Sequence, residues 1–193
     1  MMNKQRRVVF TGGPSGGKTS IIEIVQRHFV KKVAVVPEAA TILYGGGFPR
    51  KPGPDAMRHI QRAIYYVVRE LEDLSADTSG LPVAVCDRGT IDNLAYWPEG
   101  GEGLFESVGS SREAELARYD IVVHLRSPSA AYAYQNSNTR IESHRQALEL
   151  DRRIENVWKG HPRRFVVEEN PDFLQKVNRV MEILETELPK LGV

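Results

Sequence analysis

Gly12-Gly13-Pro14-Ser15-Gly16-Gly17-Lys18-Thr19 follows the short apolar run 8–10 and opens a segment in which Ile21, Ile22, Ile24, Val25 and Phe29 recur at helical spacing. The pattern is Gly-x-x-x-x-Gly-Lys-Thr, set between a strand and a helix, and each part has a physical reason. Backbone N–H groups of Ser15 to Lys18 must converge on phosphate oxygens, which calls for small residues and for positive φ. Lys18 then sets a point charge against the terminal phosphates. The Thr19 hydroxyl is a ligand for Mg²⁺, and the first helical turn, with Ser20, aims unpaired N–H groups and a positive dipole end at the same anion. The expected ligand is a nucleoside triphosphate, held by Gly12, Gly13, Pro14, Ser15, Gly16, Gly17, Lys18, Thr19 and Ser20.

With 193 residues, 41% of them hydrophobic and 26% charged, the chain reads as one globular domain spanning 1–193. A net charge of +1, with the Arg6/Arg7, Arg152/Arg153 and Arg163/Arg164 pairs scattered, argues against a nucleic-acid surface. The lone Cys86 excludes a disulfide framework and a cysteine metal site, and fits a reducing compartment. It lies in an apolar run and reads as a small buried hydrophobe. No signal peptide and no transmembrane segment is legible, so a soluble cytoplasmic protein is expected.

Apolar runs at 8–10, 33–36, 83–86, 121–125 and 165–167 are short, largely β-branched and unalternating, as buried parallel strands are. Between them lie helical patterns: one from Pro54-Asp55 to about Ser79, one over roughly 140–158, and one from Pro171-Asp172 to Leu188. The alternation predicts an α/β fold, a doubly wound five-stranded parallel sheet with its ligand at the carboxyl ends of the strands. The stretch 44–54, rich in glycine and proline and carrying Arg50 and Lys51, reads as a mobile substrate-side loop. Leu104 and Phe105, between glycine-bearing stretches, read as a flap or a surface excursion.

Asp87 ends the third apolar run, where Mg²⁺ or its waters need a carboxylate; a helix-capping aspartate is the other reading, and the phosphate loop favours the first. Arg88 beside it can clamp phosphate, and Asp92, one turn on, can face the same side or equally serve as an intrahelical salt-bridge partner. Glu38 follows the second run in Pro37-Glu38-Ala39, placed equally to accept a proton from an acceptor hydroxyl or to complement a helix dipole. Arg145 and Arg152, seven residues apart, share a helix face and can neutralise transferred charge from a closing lid at about 129–160; Arg140 lies off that face. Tyr132, Tyr134, Trp97 and Trp158 read as packing rather than base-stacking residues, and His124 as a core histidine.

Taken together, the phosphate loop, Glu38, Asp87-Arg88-Gly89-Thr90-Ile91-Asp92-Asn93-Leu94-Ala95-Tyr96 and Leu150-Asp151-Arg152-Arg153-Ile154-Glu155 resemble P-loop nucleoside and nucleotide kinases over nearly the whole length. Within that group the chain is similar to the small AAA-type ATP-binding domain family, itself similar to nicotinamide riboside kinase domains and thymidylate kinases. The resemblance implies a kinase-type strand order, Mg²⁺ with ATP, Asp87 near the metal, Arg88 near acceptor or phosphate, and a lid around 140–153. Consecutive acids of a motor ATPase are replaced by Asp87-Arg88, which favours transfer to a bound molecule. No Asn-Lys-x-Asp run announces guanine, so ATP is favoured, with GTP possible. The expected function is Mg²⁺-dependent transfer of the γ-phosphoryl group to a small-molecule acceptor; a nucleotide-dependent switch or adaptor and a slow NTPase are the alternatives. Acceptor identity and oligomeric state are not legible.

Overall fold

The apolar runs form one sheet of five parallel strands: β1 (Arg6–Thr11), β2 (Val33–Val36), β3 (Val83–Asp87), β4 (Ile121–Leu125) and β5 (Arg164–Val167), in the order β2-β3-β1-β4-β5. The computed structural model describes residues 5–101, 103–128 and 141–191. Helices α1 (Lys18–His28), α2 (Ala39–Gly45), α3 (Pro54–Thr78), α4 (Asn93–Tyr96), α5 (Leu104–Ser107), α6 (Arg112–Leu116), α7 (Ile141–Val157) and α8 (Phe173–Glu187) fill the connections.

Both faces of the sheet are covered, which is why the strands read as unbroken apolar runs instead of alternating ones. Successive strand side chains point to opposite faces. Val8 and Phe10 accordingly join α1 and α8 in one core, with Ile21, Val25, Val180 and Leu184. Val9, Ala84, Cys86 and Val122 join Tyr65, Ile154 and Trp158 in the other. Each fully buried valine, leucine, isoleucine or phenylalanine among them contributes on the order of 1.5–3 kcal/mol relative to exposure. Trp97 and Trp158 are core residues, as is Cys86.

Helix α3 begins as its sequence predicts, with Gly53 before it, Pro54 in its first turn and Asp55 at its dipole-favoured end. Helix α8 starts two residues later than expected, because the Asp172 carboxylate caps it by accepting from the Leu174 N–H at 2.9 Å. The expected flap is corrected: Leu104 and Phe105 are buried in the second core, so α5 is a packed turn and not an excursion. Of the expected lid, residues 129–140, with Arg140, Tyr132 and Tyr134, lie outside the described residues; 141–157 is α7, anchored by buried Asp151 and Ile154.

Beneath the sheet's second face runs an ionic network. Glu72, with no solvent exposure, receives Arg118 and the Tyr119 hydroxyl, and Arg7 stands 3.4 Å away. Burial pushes the Glu72 carboxyl above its ordinary range despite these cations. Tyr119 Oη also takes the Thr90 N–H at 2.7 Å, while the Thr90 hydroxyl donates to buried Glu115 at 2.7 Å. The network thereby fixes the backbone just after Arg88. Among the described residues no helix is long and apolar enough to cross a membrane.

Candidate functional site

The loop between β1 and α1 turns on Gly12 and Gly17, at φ 125° and 83°. A Cβ on Gly12 would lie 2.2 Å from the Leu125 carbonyl oxygen, so the loop leaves β1 hard against the end of β4. Its outer side is held by three other elements. Asp151 Oδ1 accepts the Gly13 N–H at 2.6 Å, the Ser127 hydroxyl donates to Pro14 O at 2.7 Å, and Lys176 Nζ donates to Gly16 O and Arg126 O, each at 2.8 Å. Lys18 Nζ folds onto Gly13 O at 2.7 Å and Gly12 O at 3.1 Å. Burial, then the Arg88 charge, lowers the Lys18 ammonium to about 8, against the raising influence of Asp87, Asp92 and Glu38. Thr19 and Ser20 stand exposed in the first turn of α1.

Across the sheet from β1, Asp87 ends β3 opposite Phe10. Its Oδ1 is buried without a hydrogen-bond partner, and burial, then the Glu38 charge, lifts the carboxyl to about 6. The capping alternative for Asp87 is not what forms: Gly89 stands at the cap of the short helical turn Thr90–Asp92, and the Asp92 carboxylate takes the Gly89 N–H at 2.9 Å. A half-buried carboxylate with an orphaned oxygen, within the field of the Lys18 ammonium, is an oxygen donor of the kind that a hard divalent cation such as Mg²⁺ takes, as is the exposed Thr19 hydroxyl in the first turn of α1.

Arg88 adopts φ 72°, a left-handed conformation rare outside glycine. Its N–H bonds Phe10 O at 2.9 Å, continuing the ladder, while Nε donates to Glu38 Oε1 at 2.8 Å and Nη1 lies 3.4 Å from Asp92 Oδ1. The Thr11 hydroxyl donates to the same Asp92 oxygen. Glu38 caps α2 with extended backbone. Burial alone would raise its carboxyl, yet the Thr41 hydroxyl and the Arg88 charge outweigh that and hold it below the ordinary range. Glu38 thus stands at a helix start and lines a cavity.

That cavity, of about 130 Å³, lies between α2, α3 and α4. Met57, Gln61, Ile64 and Val68 line one side as a single stripe of α3; Arg88, Glu38 and Asp92 form its charged end, with Tyr96 beside them. Gln61 is 4% exposed; its Nε2 reaches only the Met57 sulfur, at 3.5 Å, and its Oε1 has no partner. Sequence reasoning missed Gln61 and Tyr96. The available signal was a polar residue four positions after Met57 in an otherwise apolar inward stripe.

On the far side of the phosphate loop a second cavity, of about 370 Å³, is bounded by Arg126, Ser127, Leu148, Arg152, Glu155 and Glu168. Arg126 forks onto Glu155 at 2.5 and 3.1 Å and meets Glu168 at 3.1 Å. Arg152 is thus brought to the loop's flank, whereas Arg145 stands exposed on α7 and does not line either cavity. Among the described residues no group of three or more His, Cys, Asp or Glu side chains could hold a metal by itself.

The model of the AAA domain family matches residues 7–176, and the chain belongs to that family. No curated protein matches it. Among solved structures, deoxyadenosine kinase from M. mycoides, with dCMP and a flexible dCDP bound, superposes with a TM-score of 0.60 at 14% identity, over 93% of this chain and 99% of that one. The same kinase with bound dATP gives 0.58 at 15% identity, over 94% and 100%. Thymidylate kinase from Ehrlichia chaffeensis gives 0.61 at 13% identity, over 94% and 99%. The fold is that of P-loop nucleoside and nucleotide kinases.

Proposed function

We propose that this AAA-family chain is a Mg²⁺- and ATP-dependent kinase that phosphorylates a nucleoside or nucleotide-like small molecule. The observation that carries the reading is Arg88: it ends the phosphate-loop side of the site and begins a largely apolar cavity in which the buried Gln61 Oε1 lacks a partner. A donor site and an acceptor site then share one charged boundary. The deoxynucleotides bound by the structurally similar deoxyadenosine kinase fit that partition.

Loop N–H groups and Lys18 hold the donor phosphates once Lys18 releases the Gly12 and Gly13 carbonyls. Thr19 and Asp87 would hold Mg²⁺, whose charge offsets that of the β- and γ-phosphates. Arg88, fixed by Glu38 and Asp92, points its guanidinium at the seam where charge accumulates during transfer. Glu38 orients the acceptor hydroxyl; its lowered carboxyl is a weak base, which suits a loose transition state in which the nucleophile's proton leaves late. Arg152 neutralises phosphate from the other flank, and Arg145 can do so only when α7 shifts.

Incubation with Mg²⁺-ATP and a panel of nucleosides, nucleoside monophosphates, nicotinamide riboside and inositol phosphates, read by mass spectrometry beside Lys18→Ala, tests this. A product heavier by one phosphoryl group and absent with the variant is the expected result. ATP bound with no acceptor phosphorylated would overturn it in favour of a nucleotide-dependent switch.

A further inference from the structure

The peptide unit joining Gly12 to Gly13 is engaged at both ends. Its carbonyl oxygen faces Lys18 Nζ at 3.1 Å, and its N–H donates to Asp151 Oδ1 at 2.6 Å. Asp151 arrives from α7, 138 positions later in the chain, with a side chain 3% exposed. The approach is tight: a Cβ on Gly13 would lie 2.9 Å from Asp151 Cβ.

A carboxylate is an odd choice for this place. The loop gathers anions, and a negative charge against its back repels them; asparagine would satisfy the same N–H without that penalty. The charge faces Arg126 Nη1 at 3.7 Å, and His124 Nε2 lies within hydrogen-bonding distance of the same carboxylate, at 3.1 Å. His124 Nδ1 is buried with no partner, which fits the tautomer carrying its proton on Nε2, toward Asp151. Ser127 and Lys176, the other two rear supports, hold carbonyls; Asp151 holds an N–H. The same hydrogen bond fixes the plane of the Gly12–Gly13 peptide, and with it the course of the phosphate loop and the point where the Gly12 carbonyl meets Lys18.

We infer that Asp151 is a positioning residue of the nucleotide site: through the Gly12–Gly13 peptide it sets the phosphate loop and the resting place of Lys18, and it ties the loop to the helix that carries Arg145 and Arg152. The role rests on the reading of the loop as an ATP site. It assigns the buried Asp151–His124 pair a task that core packing alone would not require.

The test is calorimetric titration of Mg²⁺-ATP into the wild type, Asp151→Ala and Asp151→Asn, with the Gly13 amide followed by NMR and folding by circular dichroism. Asp151→Ala is expected to weaken ATP roughly tenfold or more, the scale of a lost charge-assisted hydrogen bond, and to move the Gly13 amide proton upfield. Asp151→Asn, which keeps an acceptor, is expected to retain the downfield Gly13 resonance and to restore most of the affinity. Folded Asp151→Ala that binds as well as the wild type, or more tightly because a negative charge has gone, overturns the inference. Should Asp151→Ala fail to fold, Asp151→Asn decides alone: a tenfold loss with Gly13 unmoved overturns it. A wild type that bound no nucleotide would instead overturn the functional reading itself, and this role with it.

Discussion

Arg88 Nε meets Glu38 Oε1 at 2.8 Å from a backbone held at φ 72°, so an ion pair between two loops coincides with a left-handed residue. Strain of this kind persists only where its surroundings over-determine it. Here Asp92, Phe10 O and Glu38 do so together. Glu38→Gln should keep the geometry while loosening the clamp: transfer is expected to fall by about a hundredfold, with ATP affinity changed less than about threefold. Equal losses in both, measured by initial rates and calorimetry, would make Glu38 a structural residue.

Lys18→Ala removes the one cation that the loop itself supplies. Turnover should fall by about three orders of magnitude, on the scale of other lost charge clamps on a transferring phosphoryl group. Unchanged ATP binding and rate would refute the loop assignment. Circular dichroism should match the wild type, since the released Gly12 and Gly13 carbonyls can take water.

Asp87 gives a pH signature. Its folded carboxyl, lifted to about 6 by burial and Glu38, binds a proton more readily than the unfolded one, so ionising it weighs against the fold as pH rises through that value. Below the unfolded value near 4 the effect vanishes. In metal-free protein Asp87→Asn should therefore melt several degrees above the wild type at pH 8, with the gap closing toward pH 4. Mg²⁺-nucleotide should stabilise the wild type more than the variant. A constant gap across pH would show that Asp87 is not desolvated as described.

Gln61 is a buried polar group waiting for a partner. Gln61→Leu should raise the stability of the empty protein by about 1 kcal/mol, by removing an unsatisfied oxygen from an apolar wall. The same change should raise the acceptor KM about tenfold or more, leaving the ATP affinity as it was. Loss of stability on this substitution would mean that the amide already has its partner.

Glu72 anchors the network that fixes Thr90. Glu72→Ala takes the buried carboxylate away from Arg118, Arg7 and Tyr119, leaving Arg7 on Asp73 and Arg118 near Glu115, and should lower unfolding free energy by about 3 kcal/mol, read by denaturant titration. A loss below about 1 kcal/mol would mean that Asp73 and Glu115 suffice for those arginines.

Much of this was legible in the chain, for a physical reason: the parts that face a small, fixed ligand obey strict spacing. The phosphate loop, Asp87-Arg88 and the five strands follow from positive φ, apolar runs and parallel order, each a local signal. Gln61, Asp151 and Lys176 were not legible as site residues, because each acts across the fold. Lys176 reaches Gly16 over 160 positions, and nothing near it in sequence marks it out. Tyr96 and Gln61 sit on helices where an isolated polar or aromatic residue usually means surface or core. The Leu104-Phe105 segment misled through its glycines, which permit the turns around it while the two apolar side chains sink inward.

Helix α3 runs 25 residues, about 37 Å at 1.5 Å per residue, and presents Met57, Gln61, Ile64 and Val68 to the cavity at intervals of four, three and four. It works as a ruler laid along the proposed acceptor chamber, with graduations about 6, 4.5 and 6 Å apart. A single residue inserted between Pro54 and Met57 would turn every mark by about 100° relative to the helix start, since the helix makes a turn in 3.6 residues. With the helix start held, the length ahead of Met57 therefore selects which residues face the chamber, whereas exchanging the residue at one mark alters the lining there and leaves the other marks in place.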